Sequence, residues 1–336
     1  MSQQVTPLDP LTTHSGVHHL RLFLPMPWTT SDIPDQTGRI ALITGANSGL
    51  GLESARALAT HGSTVVLACR SLMKAERARQ ELLACSRVSG PIDVLHLDLA
   101  DLASVAQAAS ALIDQYGRLD TLINNAGLMA PPRMQSKDGF ELQFATNHLG
   151  HFALTQALLP LLRTQPGARI VTVTSGAQYF GEINFEDLQG ELRYDRWKAY
   201  AQSKLANVMF AIELQKRLDV EGASMLSVAA HPGLARTNLQ PASVASSGSW
   251  LESLSYRLMD PLFQSAAMGS LPQLFAATSP DAKPAGHYGP NQWGGMRGWP
   301  KEVRVAPPAL DAELRHRLWS VSEELCDVTH SMAIVP

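Results

Sequence analysis

From about residue 38 onward, short apolar runs alternate with longer stretches in which apolar residues recur every three or four positions. The runs Ile40–Thr44, Thr64–Cys69, Ile92–Leu97, Leu119–Ile123, Arg169–Thr174 and Met225–Ala230 lack polar alternation. That pattern predicts strands buried on both faces. The segments Leu50–Thr60, Leu72–Ala84, Leu102–Tyr116, Phe140–Leu162 and Lys198–Leu218, with Ala309–Leu325 near the end, have helical spacing. Strands alternating with helices predict parallel βαβ units in an α/β, doubly wound arrangement. No internal repeat or low-complexity linker divides the pattern, so one domain over 36–336 is expected, after an irregular extension at 1–35.

Two regions interrupt the alternation, residues 176–196 and 238–265. Both follow strand ends, where open α/β sheets place their ligands, and are expected to cover the substrate. In the second, Trp250, Leu251, Leu254, Tyr256, Leu258, Met259 and Phe263 fit a bulky apolar ligand or, equally, a packed amphipathic helix.

Composition narrows the classes. The 336 residues are 45% hydrophobic and 17% charged, enough to fill a sizeable core. A formal charge of -3 supplies no basic field for nucleic acid, so a small molecule is the expected partner. The three cysteines, Cys69, Cys85 and Cys326, show neither CxxC nor metal-ligand spacing, and no metal is expected. The apolar stretch 20–28 is too short to span a bilayer and is broken by proline. It is expected to pack on the domain, without an integral membrane segment and in the cytoplasm.

The first run leads directly into Gly45-Ala46-Asn47-Ser48-Gly49-Leu50-Gly51 and a helix. Glycines in a strand-to-helix turn let the backbone approach a pyrophosphate, which then meets the positive end of the helix. The expected domain is therefore a Rossmann-type one, with a parallel seven-stranded sheet and helices on both faces. The second strand ends at Ala68-Cys69-Arg70 without the carboxylate that would bind a free ribose 2′-hydroxyl. Arg70 can instead pair a 2′-phosphate, which favours NADP(H) over NAD(H), or it is a solvated surface charge. Asp98-Leu99 ends the third strand, where the acid could accept from the adenine amino group, and Asn125-Ala126-Gly127 ends the fourth, where small residues leave room for the ribose; taken singly, either could be an ordinary turn. Pro232-Gly233 turns the chain after the sixth run, and Thr237 could bind the carboxamide or the pyrophosphate, unless this is a plain strand-ending turn.

Tyr200 and Lys204, at i and i+4, share one face of a helix. A phenol with a pKa of about 10 is a poor base near neutrality. A lysine charge about 4 Å away, worth roughly 4 kcal/mol at an effective dielectric of about 20, moves it into the useful range. Ser175, at the end of the fifth run, can hold a carbonyl or alcohol oxygen. Asn147 can hold a water relay to Lys204 or simply pack the helix. His148 and His151 beside it are taken as packing residues. No GxSxG elbow occurs, so Ser175 is not expected to be a nucleophile.

In this order, GxxxGxG, NNAG, the helical Asn, the Ser, YxxxK and the PG turn resemble the short-chain dehydrogenase/reductase superfamily over residues 38 to 300. Thr44–Leu52, Ala68-Cys69-Arg70, the 25-residue step from Ser175 to Tyr200, and Ser203–Asn207 resemble its retinol-dehydrogenase-like branch, to which protochlorophyllide reductases are related. The resemblance implies Tyr200 as acid/base, Lys204 as the group that lowers its pKa and binds the nicotinamide ribose, Ser175 orienting the substrate, and Asn147 completing the set. It also implies a homodimer contact through the helices near Phe140–Leu162 and Lys198–Leu218. The expected function is NADP(H)-dependent interconversion of an alcohol with a ketone or aldehyde. Two other readings stay open, a non-catalytic NADP(H)-sensing protein and a protochlorophyllide-reductase-like photoenzyme. The latter is expected to carry a pocket cysteine.

Overall fold

The computed structural model describes residues 27–236 and 263–326. The six apolar runs form β1 (Ile40–Thr44), β2 (Thr64–Cys69), β3 (Ile92–His96), β4 (Thr121–Asn124), β5 (Ala168–Val173) and β6 (Met225–Ala230). They pair in parallel in the order β3-β2-β1-β4-β5-β6. The chain winds outward from β1 to β3 and then crosses back to β4, so a crevice opens at the carboxyl ends of β1 and β4. Leu42, Ile43, Leu122 and Ile123 on these two strands are completely buried, because helices cover both faces, as the missing polar alternation implies.

Among the described residues eight helices accompany the sheet: α1 (Gly49–Thr60), α2 (Leu72–Leu83), α3 (Leu102–Tyr116), α4 (Leu142–Phe144), α5 (Gly150–Arg163), α6 (Arg196–Glu221), α7 (Ala266–Thr278) and α8 (Ala312–Cys326). One core gathers Ala55, Leu58, Ala75, Leu82 and Leu274 from α1, α2 and α7 against Ile43 and Leu67. The other gathers Val105, Leu112, Leu158 and Phe210 from α3, α5 and α6 against Leu42, Leu122 and Ile170. Local chemistry sets the helix ends. Asp101 caps α3 by accepting from the amides of Ala103 and Ser104, and Gly117 ends it in the left-handed region at φ 63°.

Among the described residues the sheet has eight strands, one more than expected. β7 (His287–Gln292) adds in parallel to β6, and β8 (Arg297–Glu302) closes the edge antiparallel to β7. Each carries a glycine and a proline, which mute the strand signal in the sequence and are tolerated at a sheet edge. The predicted helix Phe140–Leu162 is divided into α4, a π-helical turn at Ala145–Leu149, and α5. Helix α7 left no readable stripe, since Pro272 lies inside it and most of its residues are buried all round. Its Gly269 permits close contact, because a Cβ there would lie 2.4 Å from that of Ala235.

Helix α8 lies where the tail helix was expected. Its Trp319 stacks on Phe210 at 5.8 Å and meets Phe152 edge-on at 4.9 Å. The two long helices that the resemblance implies in a dimer contact thus both carry α8 on one face. At the other end Trp28 packs edge-on against Phe275 at 5.4 Å, and Ile33 is buried in the first core. The rest of the apolar stretch, 20–26, lies outside the described residues, as does the segment 237–262. Among the described residues no helix is long and apolar enough to cross a membrane.

Candidate active site

The crevice is floored by backbone on one side. Gly45, at φ 66°, follows β1 and donates its amide to the Ala68 carbonyl at 2.8 Å. Gly49 opens α1 at φ 56°, and Ser48 before it is extended with no side-chain capping bond. Gly51 is buried, and a Cβ there would meet Asn125 Nδ2 at 2.6 Å, the Gly45 carbonyl oxygen at 2.7 Å and Ala46 Cα at 2.9 Å. A helix N-terminus without a capping side chain, approached by a turn with no room for side chains, is a cradle for a diphosphate. Asn47 and Leu50 belong to this turn, Leu50 being buried against Gly269 of α7.

Around the cradle the strand ends place the other expected groups. Cys69 is buried with the Ala46 and Asn47 amides directed at its sulfur, and burial pushes its thiol up to about 11. Arg70, the next residue, is exposed and has no ion-pair or hydrogen-bond partner among the described residues. Asp98 turns its carboxylate onto the Ala100 amide at 3.0 Å, and Leu99 is buried where α5 begins, its carbonyl oxygen 2.3 Å from where a Gly150 Cβ would stand. Asn125 and Ala126 present their amides to the Thr44 hydroxyl, each at 2.9 Å. At Gly127 a Cβ would lie 3.1 Å from Asn147 Oδ1 and 3.3 Å from Lys204 Nζ, so a side chain there would crowd both groups. The Pro232-Gly233 turn follows β6, with Gly233 at φ 64° beneath the Met296 carbonyl. Thr237 lies outside the described residues.

The opposite side is built from side chains. Asp195 caps α6 through the amides of Trp197 and Lys198, which sets the first turn and brings Tyr200 and Lys204 to one face. Lys204 Nζ lies 5.8 Å from the Tyr200 ring centre. Lys204 is buried; Nζ reaches the Val173 carbonyl at 3.4 Å, and burial pulls its pKa down to about 8. Ser175, at the end of β5, opens a 3₁₀ turn over Gly176–Phe180 and accepts from the Ala177 amide at 3.2 Å.

The Asn147 side chain accepts from the Leu128 amide at 2.7 Å and donates to the Leu128 carbonyl at 3.0 Å and to Ser203 Oγ at 2.9 Å. Ser203 in turn donates to the Tyr200 carbonyl at 2.8 Å. Apart from Thr237, the residues singled out by spacing lie in the turns at the strand ends or on the α6 and Asn147 face beside them, joined by several that spacing did not reveal. Thr44 and Thr174 end apolar strand runs, and Ser203 lies between Tyr200 and Lys204; none has a spacing of its own, and the Thr174 hydroxyl donates to the Lys204 carbonyl at 2.7 Å. The hydroxyls that end those runs were a signal available in the sequence. Gln273 of α7 donates to Ser54 of α1 at 2.7 Å and belongs to a helix the pattern did not show.

The insertion 176–196 does not lie wholly against the crevice. Glu182, Asn184, Asp187 and Tyr194 line a cavity of about 370 Å³ with Ala199 and Gln202 on the other flank of α6, and neither Ser175, Tyr200 nor Lys204 borders it.

The family model for short chain dehydrogenase matches residues 39–247. Retinol dehydrogenase 12 of Mus musculus is 39% identical over 87% of this chain and 87% of its own length. Retinol dehydrogenase 13 of Homo sapiens is 36% identical over 97% of this chain and 96% of its own. Among solved structures, an uncharacterised Mycobacterium paratuberculosis protein is 40% identical with a TM-score of 0.74, over 90% of this chain and 98% of that one. A Beutenbergia cavernae structure with NADP bound at low occupancy is 26% identical with a TM-score of 0.57, over 73% of this chain and 91% of that one. The glycine cradle, the buried Tyr200–Lys204 face and these matches agree: the chain belongs to the short-chain dehydrogenase/reductase family, as an oxidoreductase of its retinol-dehydrogenase-like branch that acts between alcohol and carbonyl.

Proposed function

We propose that the protein is an NADP(H)-dependent oxidoreductase that interconverts a bulky apolar alcohol and its ketone or aldehyde, with Tyr200 as the acid/base. The observation that carries this reading is the buried Tyr200–Lys204 face of α6 set against the space that Gly127 keeps open. When bound, the nicotinamide supplies or accepts the hydride. Tyr200 gives its phenolic proton to the substrate oxygen in reduction and takes it back in oxidation. Lys204, at about 8, stays largely charged at neutral pH and favours the phenolate. Ser175 holds the substrate oxygen, and Asn147 keeps Leu128 and Ser203 in place on either side of it. Near-neutral proton transfer by a positioned group of this kind contributes about 10²–10⁴ in rate.

Arg70, exposed beside the cradle and without a partner among the described residues, supports a 2′-phosphate. The NADP in the Beutenbergia cavernae structure supports it further. An apolar substrate is supported by the retinol named for the curated relatives and by the exposed ring of Trp197, 6.5 Å from that of Tyr200. Three free cysteines support a cytoplasmic, reducing setting.

The test is NADPH consumption by the purified chain against a panel of aldehydes and ketones, in the dark and in light. The reading expects dark turnover that favours large apolar carbonyls. NADPH binding without any turnover would favour a sensing protein, and turnover only in light a photoenzyme.

A further inference from the structure

His151 lies in the first turn of α5 with 1% of its surface exposed, and burial pulls its pKa down to about 4, so the ring is neutral at physiological pH. Its two nitrogens have defined roles. Nδ1 lies 3.0 Å from the carbonyl oxygen of Asn147, which can only accept, so Nδ1 carries the proton. Nε2 then bears the lone pair and lies 2.9 Å from Thr44 Oγ1, so the threonine hydroxyl donates to it. With its proton committed there, Thr44 Oγ1 presents its lone pairs to the amides of Asn125 and Ala126 at 2.9 Å each. The competing acceptor, the Ile123 carbonyl at 3.5 Å, is at the limit of a hydrogen bond.

We propose that His151 is a positioning residue that ties the helix bearing Asn147 to the ends of β1 and β4, holding the reacting side chains and the dinucleotide cradle in one register. The two bonds act on different sides of the crevice. Through Thr44 the ring fixes the Asn125-Ala126 turn, whose Ala126 lies 3.0 Å from where a Gly45 Cβ would be. Through the Asn147 carbonyl it fixes the π-helical turn from which the Asn147 side chain reaches Leu128 and Ser203. His148 provides the contrast. It is equally buried, but its Nε2 pairs with Ser322 of α8 at 2.8 Å and its ring packs on Phe144 at 5.1 Å, away from the crevice.

The catalytic half of this inference rests on the proposed function, whereas the cofactor half does not. Three substitutions separate the bonds: His151→Asn keeps a donor at the Nδ1 position, His151→Gln keeps an acceptor at the Nε2 position, and His151→Phe keeps only the ring. NADPH dissociation constants, kcat, and amide exchange of Asn125 and Ala126 in the cofactor-free chain are the readouts. With one hydrogen bond at stake, His151→Asn should weaken NADPH about tenfold and speed those amides while kcat stays within about threefold. His151→Gln should hold NADPH within about threefold and lower kcat about tenfold, and His151→Phe should show both losses. His148→Phe should lower Tm and leave all three readouts unchanged. Parallel changes in the Asn and Gln variants, or no change in either, would overturn the inference even if His151→Phe does not fold. A wild-type chain that turns over no carbonyl would instead remove the functional reading, with the NADPH and exchange measurements still deciding the cofactor half.

Discussion

The two sides of the crevice are made of different material. The dinucleotide side is main chain: Gly45, Gly49 and Gly51 shape a turn at a helix N-terminus, and the residue types matter mostly by having no side chain. The reacting side is side chain: Asn147, Ser203, Thr174, Lys204 and His151 form a buried polar set whose members are bonded to one another or to main chain. The first is intolerant of added atoms. The second is intolerant of added protons or lost partners, because a buried unpaired polar group keeps its full desolvation cost. Each side should therefore fail under a different perturbation.

Acid should produce the largest effect, and on the side-chain half. Burial holds His148 at about 3, His151 at about 4, His231 at about 3 and His287 at about 4, against 6.5 for an ordinary imidazole. Each folded value is depressed, so the unfolded chain takes up protons first and stability present above pH 6.5 is lost as pH falls toward 4. Between about pH 6.5 and pH 5.5 the loss is roughly 1 kcal/mol per histidine, or roughly 4 kcal/mol for the four. Denaturant unfolding at the two pH values checks this, and a flat profile would show that these rings are not buried neutral. His231 and His287 belong to the set too, with His287 pairing Gln178 of the turn after Ser175 at 3.1 Å.

A single methyl group should break the main-chain half. Gly51→Ala places a Cβ within 3 Å of three atoms, two of them backbone, an overpacking that costs about 1–3 kcal/mol. The expected result is weaker NADPH binding by tenfold or more together with a lower Tm, while the pH profile of the remaining activity is unchanged. Binding as tight as wild type would mean that the cradle relaxes freely.

The smallest effect sharpens the comparison at Arg70, the side chain proposed to meet the 2′-phosphate. Arg70→Ala should leave Tm unchanged and reduce the preference for NADPH over NADH by about tenfold, the worth of one exposed charge-assisted hydrogen bond. Added salt should narrow the wild-type preference by screening. Cys69→Asp combined with Arg70→Ile should reverse it. Equal wild-type affinities for the two cofactors would leave Arg70 a surface charge.

The same division explains what the sequence revealed. The cradle is written locally: four residues between β1 and α1, with the first three of α1, state the turn, and five consecutive residues of α6 state Tyr200 and Lys204. The side-chain network is written across the chain. Thr44 and His151 are 107 positions apart, and Gln273 and Ser54 are 219 apart, so no spacing announces them. His148 and His151 looked alike as packing residues, and only the fold shows that one faces the crevice and the other α8. The π-helical turn at Ala145–Leu149 keeps an apolar spacing close to that of an α-helix and was read as one. The added strand β8 and helix α7 were obscured by glycine and proline that the edge of the sheet and a tight interhelical contact accommodate. The expected residue Thr237 and the apolar positions from Trp250 to Met259 lie outside the described residues.

The central claim is that Tyr200 transfers the proton and is not needed to hold the cofactor. Tyr200→Phe keeps the ring that packs edge-on against Trp197 and removes only the hydroxyl. Measuring the NADPH dissociation constant and the single-turnover rate of carbonyl reduction on this one variant tests the claim most directly. The account predicts a dissociation constant within a few-fold of wild type and a rate lower by about a hundredfold or more. A folded variant that reduces its best carbonyl substrate at near the wild-type rate would contradict it.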